Sequence, residues 1–262
     1  MVDFLENILA TRKAELENTK QRIKIKDLEY YISKVSLRDS FLEGINKPGQ
    51  ITLIAEMKRR SPSAGVIRDP FDAGQIARDY QKGGAHAISV LTENARFGGS
   101  LEDMLLVKTA SELPILRKDF IFDVYQVIEA KVHGASAVLL IADALEPVLL
   151  KELVDCCRLY NIYPLVEIFT EAALKSAVDS GAQIIGINTR NLRTLAMLPE
   201  NVEKLAPLIP KDRLIVAESG IKTAEDVAKM KGLNVAAMLV GESILRQENL
   251  ALAVSTLVQA GA

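Results

Sequence analysis

The sequence predicts an α/β fold, a (β/α)8 TIM barrel with an N-terminal helical extension. Three observations carry that expectation. Eight short apolar segments alternate with amphipathic ones from residue 51 onward. Such alternation implies parallel strands, right-handed crossovers and, at eight units, barrel closure. Polar side chains follow each apolar segment at once, at the barrel end where reacting groups sit. The last two of these ends contain glycine, in the loops that commonly hold a phosphate. An open doubly wound sheet is the rival, but no Gly-x-Gly-x-x-Gly turn follows the first strand. The 262 residues are read as a single domain, with the extension over 1–50 and the barrel over 51–262.

In the extension, Phe4, Leu5, Ile8, Leu9, Arg12 and Leu16 recur at helical spacing among many charges, which predicts helix from about 3 to 33. A break is expected between Thr19 and Lys24, and a short helix over Leu37–Leu42 entered through Ser36. Asn46-Lys47-Pro48-Gly49 then ends the extension, which is expected to cover barrel surface. The predicted strands are Ile51–Met57, His86–Leu91, Pro114–Leu116, Ser136–Ile141, Tyr163–Val166, Ile184–Ile187, Leu214–Ala217 and Val235–Val240. Their helices fall near 72–83, 101–111, 123–133, 146–160, 170–181, 199–208, 223–231 and 247–259. Asp72, Ser100, Thr170 and Thr223 are the expected N-caps, and Gly83, Gly134, Gly181 and Gly232 mark helix ends.

Composition narrows the function. A net charge of -2 argues against a general nucleic-acid or polyanion binder. No apolar run is long enough to span a bilayer, and no signal-peptide core opens the chain. The adjacent Cys156 and Cys157 do not suggest a structural disulfide, so a cytoplasmic location is expected. His86 and His133 are read as structural, and no spacing suggests a metal site.

The predicted strand ends offer Glu56 and Lys58, Thr92 and Glu93, Arg117 to Asp119, Asp143, Glu167, Asn188 and Arg190, Glu218 to Gly220, and Gly241 to Ser243. Lysines and carboxylates converging on one mouth from different strands can do acid–base chemistry. Glu56 and Lys58 share a strand face. Lys118 is flanked by Arg117 and Asp119 on the opposite face, so it is expected to be unpaired within its strand and freer to give up a proton.

Several runs resemble the indole-3-glycerol phosphate synthase family. They are Ile54-Ala55-Glu56-Met57-Lys58-Arg59-Arg60-Ser61-Pro62-Ser63, Leu91-Thr92-Glu93, Phe97-Gly98-Gly99-Ser100 and Pro114 to Ile121. Further along come Val138-Leu139-Leu140-Ile141, Pro164 to Glu167, Gly186 to Leu192, Ala217 to Ile221 and Leu239 to Ser243. The resemblance implies a cofactor-free enzyme of tryptophan biosynthesis. It would close, decarboxylate and dehydrate 1-(2-carboxyphenylamino)-1-deoxyribulose 5-phosphate. It implies Lys118 as general acid, with Lys58, held by Glu56, and Glu167 in the later proton transfers. Asn188, Glu218 and Ser219 match residues that orient hydroxyls. Ser61, Gly220, Gly241, Glu242 (through its backbone N–H) and Ser243 match the phosphate side, with Arg190 counted among the binding residues. Phe97, Phe120, Leu139 and Pro62 match the apolar wall for the anthranilate ring. The expected partner is a phosphorylated small molecule, with no nucleic acid, membrane or metal, and the chain is taken as a monomer. A phosphoribosylanthranilate isomerase would place cysteine at the end of the first strand, where Glu56-Met57-Lys58 stands. A non-catalytic phosphate-binding barrel would need the glycine loops but neither lysine.

Overall fold

A computed structural model describes residues 3–32, 34 and 40–262. The strands, in chain order, are β1 (Thr52–Met57), β2 (Arg60–Ser61), β3 (Gly65–Val66), β4 (Ala87–Leu91), β5 (Ile115–Lys118), β6 (Ala137–Ile141), β7 (Tyr163–Ile168), β8 (Ile184–Asn188), β9 (Leu214–Glu218) and β10 (Val235–Val240). The short β2 and β3 pair antiparallel as a hairpin in the loop after β1. The other eight are parallel and close a barrel in the order β1-β10-β9-β8-β7-β6-β5-β4. Thr52–Ala55 of β1 pair with Ala237–Val240 of β10 to shut it.

The strands read as apolar runs because both faces are buried. Side chains alternate with period two. Ile54, Leu116, Leu139, Leu165, Ile184, Val216 and Leu239 fill the interior. Leu53, Ile88, Ile115, Val138, Leu140, Val166, Ile185 and Ile187 face the helices instead.

Those helices are α4 (Ala73–Lys82), α5 (Leu101–Ala110), α6 (Val124–Val132), α7 (Pro147–Leu159), α8 (Glu171–Asp179), α9 (Asn201–Leu205), α10 (Ala224–Lys231), α11 (Glu242–Leu245) and α12 (Leu250–Gly261). The four expected N-caps form: Asp72, Ser100, Thr170 and Thr223 each accept a backbone N–H of the first turn. The helix expected over 199–208 is shorter, because Pro207 turns its last part into a 3-10 turn, Ala206–Leu208. The last expected helix begins later, at Leu250, and α11 precedes it as a separate turn.

The extension supplies α1 (Phe4–Arg22), α2 (Ile25–Ile32) and α3 (Phe41–Ile45). The break after α1 falls at Ile23 and Lys24, at the late edge of the expected interval. The expected entry at Ser36 and residues 37–39 lie outside the described residues; α3 itself is capped by Ser40. The two ends of the extension serve opposite ends of the barrel. Helix α3 closes the strands' N-terminal end, where Thr52 Oγ1 donates to Ile45 O at 2.7 Å and Phe41 and Ile45 are fully buried. Helix α1 lies at the mouth: Phe4 N donates to Arg193 O at 3.3 Å, and Arg12 Nη2 bonds Asp119 Oδ2 at 2.8 Å.

Four strands run further than expected. β5 reaches Lys118, β7 passes Glu167 to Ile168, β8 reaches Asn188 and β9 reaches Glu218. The predicted strands stopped at their last apolar residue. The ladder continues because the polar tips Lys118, Glu167, Asn188 and Glu218 turn inward and find partners from other elements.

Candidate active site

Lys118, the last residue of β5, is the hub of the mouth. Its Nζ donates to Glu218 Oε2 at 2.8 Å and lies 3.3 Å from Glu167 Oε2. These carboxylates arrive from β9 and β7, and both are almost wholly buried. The expectation that Lys118 is free to lose its proton is therefore corrected. It is unpaired within its own strand but doubly paired across the barrel. Burial favours the neutral amine, yet Glu218, Glu167 and Glu56 together outweigh it and hold the ammonium.

One ammonium between two carboxylates leaves one acid short of counter-charge. Burial and the neighbouring Glu167, opposed by Lys118, push Glu218 up to about 8. Glu56 fares differently. It is just as buried, but Lys58 and Lys118, with help from Arg190, hold it below the ordinary range. Lys58, just after β1, is bonded to Glu56 as the same-face spacing predicts. Tyr80 Oη also donates to the Glu56 carbonyl at 2.9 Å, fixing the strand end from the helix side.

A second cluster joins β8 to β9. Asn188 Oδ1 accepts from Ser219 Oγ and from the Arg190 N–H, both at 2.9 Å. The Arg190 guanidinium donates to Leu195 O at 3.2 Å. Ser219 and Gly220 both have positive φ, 69° and 78°, so the chain turns sharply after β9. Only the glycine adopts this without strain. Across from it, Ser243 Oγ donates to Ile221 O at 3.3 Å, tying the loop after β10 to the loop after β9. The Glu242 carboxylate takes Arg246 at 2.9 Å, turned along its own helix. Gly241 has a nearer role than backbone approach to a ligand: a Cβ there would lie 2.6 Å from Glu56 Oε1.

Phe120 and Leu139 are buried in the interior cluster, with Phe97 and Leu192 packed against it. The rings of Phe97 and Phe120 are 6.4 Å apart. Leu5 and Ile8 of α1 belong to the same cluster, so the extension helps build this wall. Pro62 is exposed at the turn of the β2–β3 hairpin, and Ser61 Oγ accepts the Ala64 N–H at 3.2 Å across that turn. Neither is drawn into the interior cluster.

Other expected strand-end residues brace loops. Asp143 accepts from the Phe169 N–H and Thr170 Oγ1. Glu93 accepts the Arg96 and Phe97 N–H groups. Arg117, Thr92, Asp119 and Glu129 form a buried network behind Lys118, which Arg12 joins from α1. Sequence reasoning gave Arg117 and Asp119 their outward face but had no signal for the fifth member, 107 residues away from its partner. It also passed over Gly186, although a glycine inside a strand signals close approach.

The fold is shared by solved structures of low sequence similarity. These include 3-hexulose-6-phosphate synthase from Salmonella typhimurium, with TM-score 0.65, 13% identity and coverage of 80% of this chain and 98% of that one. Thiamine phosphate pyrophosphorylase from Pyrococcus furiosus superposes with TM-score 0.61 at 15% identity, over 81% of this chain and 96% of that one. Closer sequences are more specific. The indole-3-glycerol phosphate synthase of Campylobacter fetus subsp. fetus is 41% identical over 94% of this chain and 96% of its own length. That of Rhodopirellula baltica is 40% identical over 97% of this chain and 98% of its own length. The indole-3-glycerol phosphate synthase family model matches residues 5–257. Barrel, converging acids and lysines, and whole-length similarity agree, and the chain belongs to the indole-3-glycerol phosphate synthase family.

Proposed function

We propose that Lys118 is the general acid of ring closure in this enzyme, a carboxy-lyase of tryptophan biosynthesis that forms indole-3-glycerol phosphate. The substrate is 1-(2-carboxyphenylamino)-1-deoxyribulose 5-phosphate. When its aromatic carbon attacks the ketone, charge develops on the ketone oxygen. A preorganised cation stabilises that charge most where water is excluded. Lys118, half-buried between Glu218 and Glu167, meets this requirement. Its ammonium is held firmly, yet an alkoxide is more basic still and takes the proton as it forms. Loss of carbon dioxide follows. Dehydration then needs an acid for the departing hydroxyl and a base for a carbon-bound proton. Lys58 with Glu56, and Glu167, are the residues assigned to these steps. Asn188, Ser219 and Glu218 orient hydroxyls.

The phosphate is assigned to the joined loops after β9 and β10, with Gly220, Gly241, the Glu242 N–H and Ser243, and with Ser61 from the hairpin and Arg190 nearby. Phe97, Phe120, Leu139 and Pro62 are assigned to the aromatic ring. In this reading the enzyme works without cofactor or metal, as a cytoplasmic monomer in one domain. The buried, free Cys157 thiol suits a reducing compartment.

The observation that carries the assignment is the ammonium of Lys118 shared by acids from two other strands. Product fluorescence during turnover tests it. Lys118→Ala should lower kcat by about a hundred-fold or more, the usual cost of a lost general acid. A kcat within about threefold of wild type would sink the assignment.

A further inference from the structure

One inward position of the barrel is held by a residue with no side chain, between two acids. Gly186 lies at the centre of β8, on the same face as Ile184 and Asn188. The ladder sets Glu167 of β7 directly beside it and Val216 of β9 on its other side. Glu218 stands one inward step further on, opposite Asn188. The inward positions one step below on β7 and β8 carry the apolar fillers Leu165 and Ile184. At Gly186 the filler is the Glu218 carboxyl itself. A Cβ there would lie 2.2 Å from Glu218 Oε1, 3.2 Å from its Cδ and 3.3 Å from Leu165 Cδ1. Gly186 is not among the glycines with positive φ, so its conformation alone does not call for glycine. The requirement is one of space.

The seat fixes what Glu218 can reach. With Oε1 against the Gly186 backbone, Oε2 receives Lys118 Nζ at 2.8 Å. Oε1 is buried and receives no N–H or O–H donor among the described residues. A proton shared with Glu167, which holds the same Lys118 ammonium, would satisfy it.

We propose that Gly186 is a positioning residue for the reaction: its missing side chain seats the Glu218 carboxyl so that Glu218, Glu167 and Lys118 act as one proton-sharing group. The proposal rests on the roles given above to those three residues. The charged groups facing Glu218 are Lys118 from β5 and Glu167 from β7, with Glu56 beyond Lys118. Asn188 of β8 and Leu239 of β10, its ladder partners, do not titrate.

Three variants test it: Gly186→Ala, Glu218→Ala and the double variant. Misplacing a catalytic group by about 1 Å costs up to about a hundred-fold. Gly186→Ala should therefore lower kcat by about tenfold or more, with KM within about threefold. The pH limb belonging to the Glu218 group should move by about half a pH unit or more. Truncating Glu218 empties the space the new methyl needs. Adding Gly186→Ala to Glu218→Ala should then change the melting temperature by no more than about 2 °C and kcat by no more than about twofold, the non-additivity of residues in contact. A Gly186→Ala enzyme with wild-type kcat and pH profile would overturn the proposal. So would a methyl that proves as harmful in the Glu218→Ala background as beside the intact acid. If Gly186→Ala does not fold, the melting temperatures of Glu218→Ala and the double variant still decide. Those temperatures also test the seat if Lys118→Ala proves the catalytic assignment wrong.

Discussion

Replacing Glu218 by Gln should remove a pH-dependent weakness of the fold. In the native state the Glu218 carboxyl rises from the ordinary 4.5 to about 8, chiefly through burial. The unfolded chain releases this proton near the ordinary value, while the native protein keeps it up to about 8. Between those two pH values the native state binds more protons, so stability falls as pH rises; above about 8 the loss is complete. The slope there approaches about 1.4 kcal/mol per pH unit. Over the whole interval the loss reaches about 5 kcal/mol at most, from ~3.5 pH units at about 1.4 kcal/mol each. Sharing of Lys118 between two acids and relaxation of the site reduce this, and we expect about 2 kcal/mol in practice. A Gln amide stays neutral throughout and still accepts from Lys118. Urea unfolding of both proteins at pH 5, 6, 7, 8 and 9 measures the difference. The variant should gain on the wild type steadily from pH 5 to 8 and no further by pH 9. Parallel stability curves would refute the reasoning, because Glu218 would then carry no extra proton in the native state.

Three other perturbations separate the parts of the molecule. Lys58→Ala removes a cation that can hold the substrate's carboxylate and leaves buried Glu56 with Lys118 and Arg190, so steady-state kinetics should show KM raised by about tenfold as well as a lower kcat; an unchanged KM would remove Lys58 from substrate binding. Phe41→Ala empties a fully buried site at the end of the barrel remote from the mouth, so urea unfolding should lose about 3 kcal/mol or more while kcat stays within about twofold. Gly241→Asp should weaken inorganic phosphate binding by calorimetry, since like charges repel there, and should also depress kcat because its side chain meets Glu56 at 2.6 Å or closer. Wild-type phosphate affinity would refute the phosphate assignment, and wild-type kcat the packing.

The barrel was legible because strands buried on both faces leave unbroken apolar runs, and because Asp72, Ser100, Thr170 and Thr223 announce their helices. The pairing of Glu56 with Lys58 was legible too, since neighbours two apart in one strand share a face. Contacts between strands were not. Lys118 meets Glu218 across 100 residues and Glu167 across 49, and no local spacing encodes barrel position. The same blindness ended β5, β7, β8 and β9 too early, because a polar residue was taken as the strand's exit rather than its inward tip. Gly186 carried no reading, and the expectation of Gly241 beside a phosphate held no sign that both glycines also make room for carboxylates. The exposed hairpin β2–β3 gave no apolar or periodic signal, and pairs only two residues on each side.

Arg12 has a consequence for the order in which the protein can assemble. It leaves the ribosome long before Asp119, its partner 107 residues on, and Phe4 waits still longer for Arg193. The first helix is thus synthesised early and docked late, against strands that do not yet exist when it emerges. Barrel closure is later still, since β1 pairs with β10 near the other terminus, and such distant pairings slow folding. Glu56 meets Gly241 only at that closing seam. A nascent chain lacking its last strand therefore has Lys118 and its two acids in hand but lacks the wall that confines Glu56, so completion of the fold and completion of the mouth are one event.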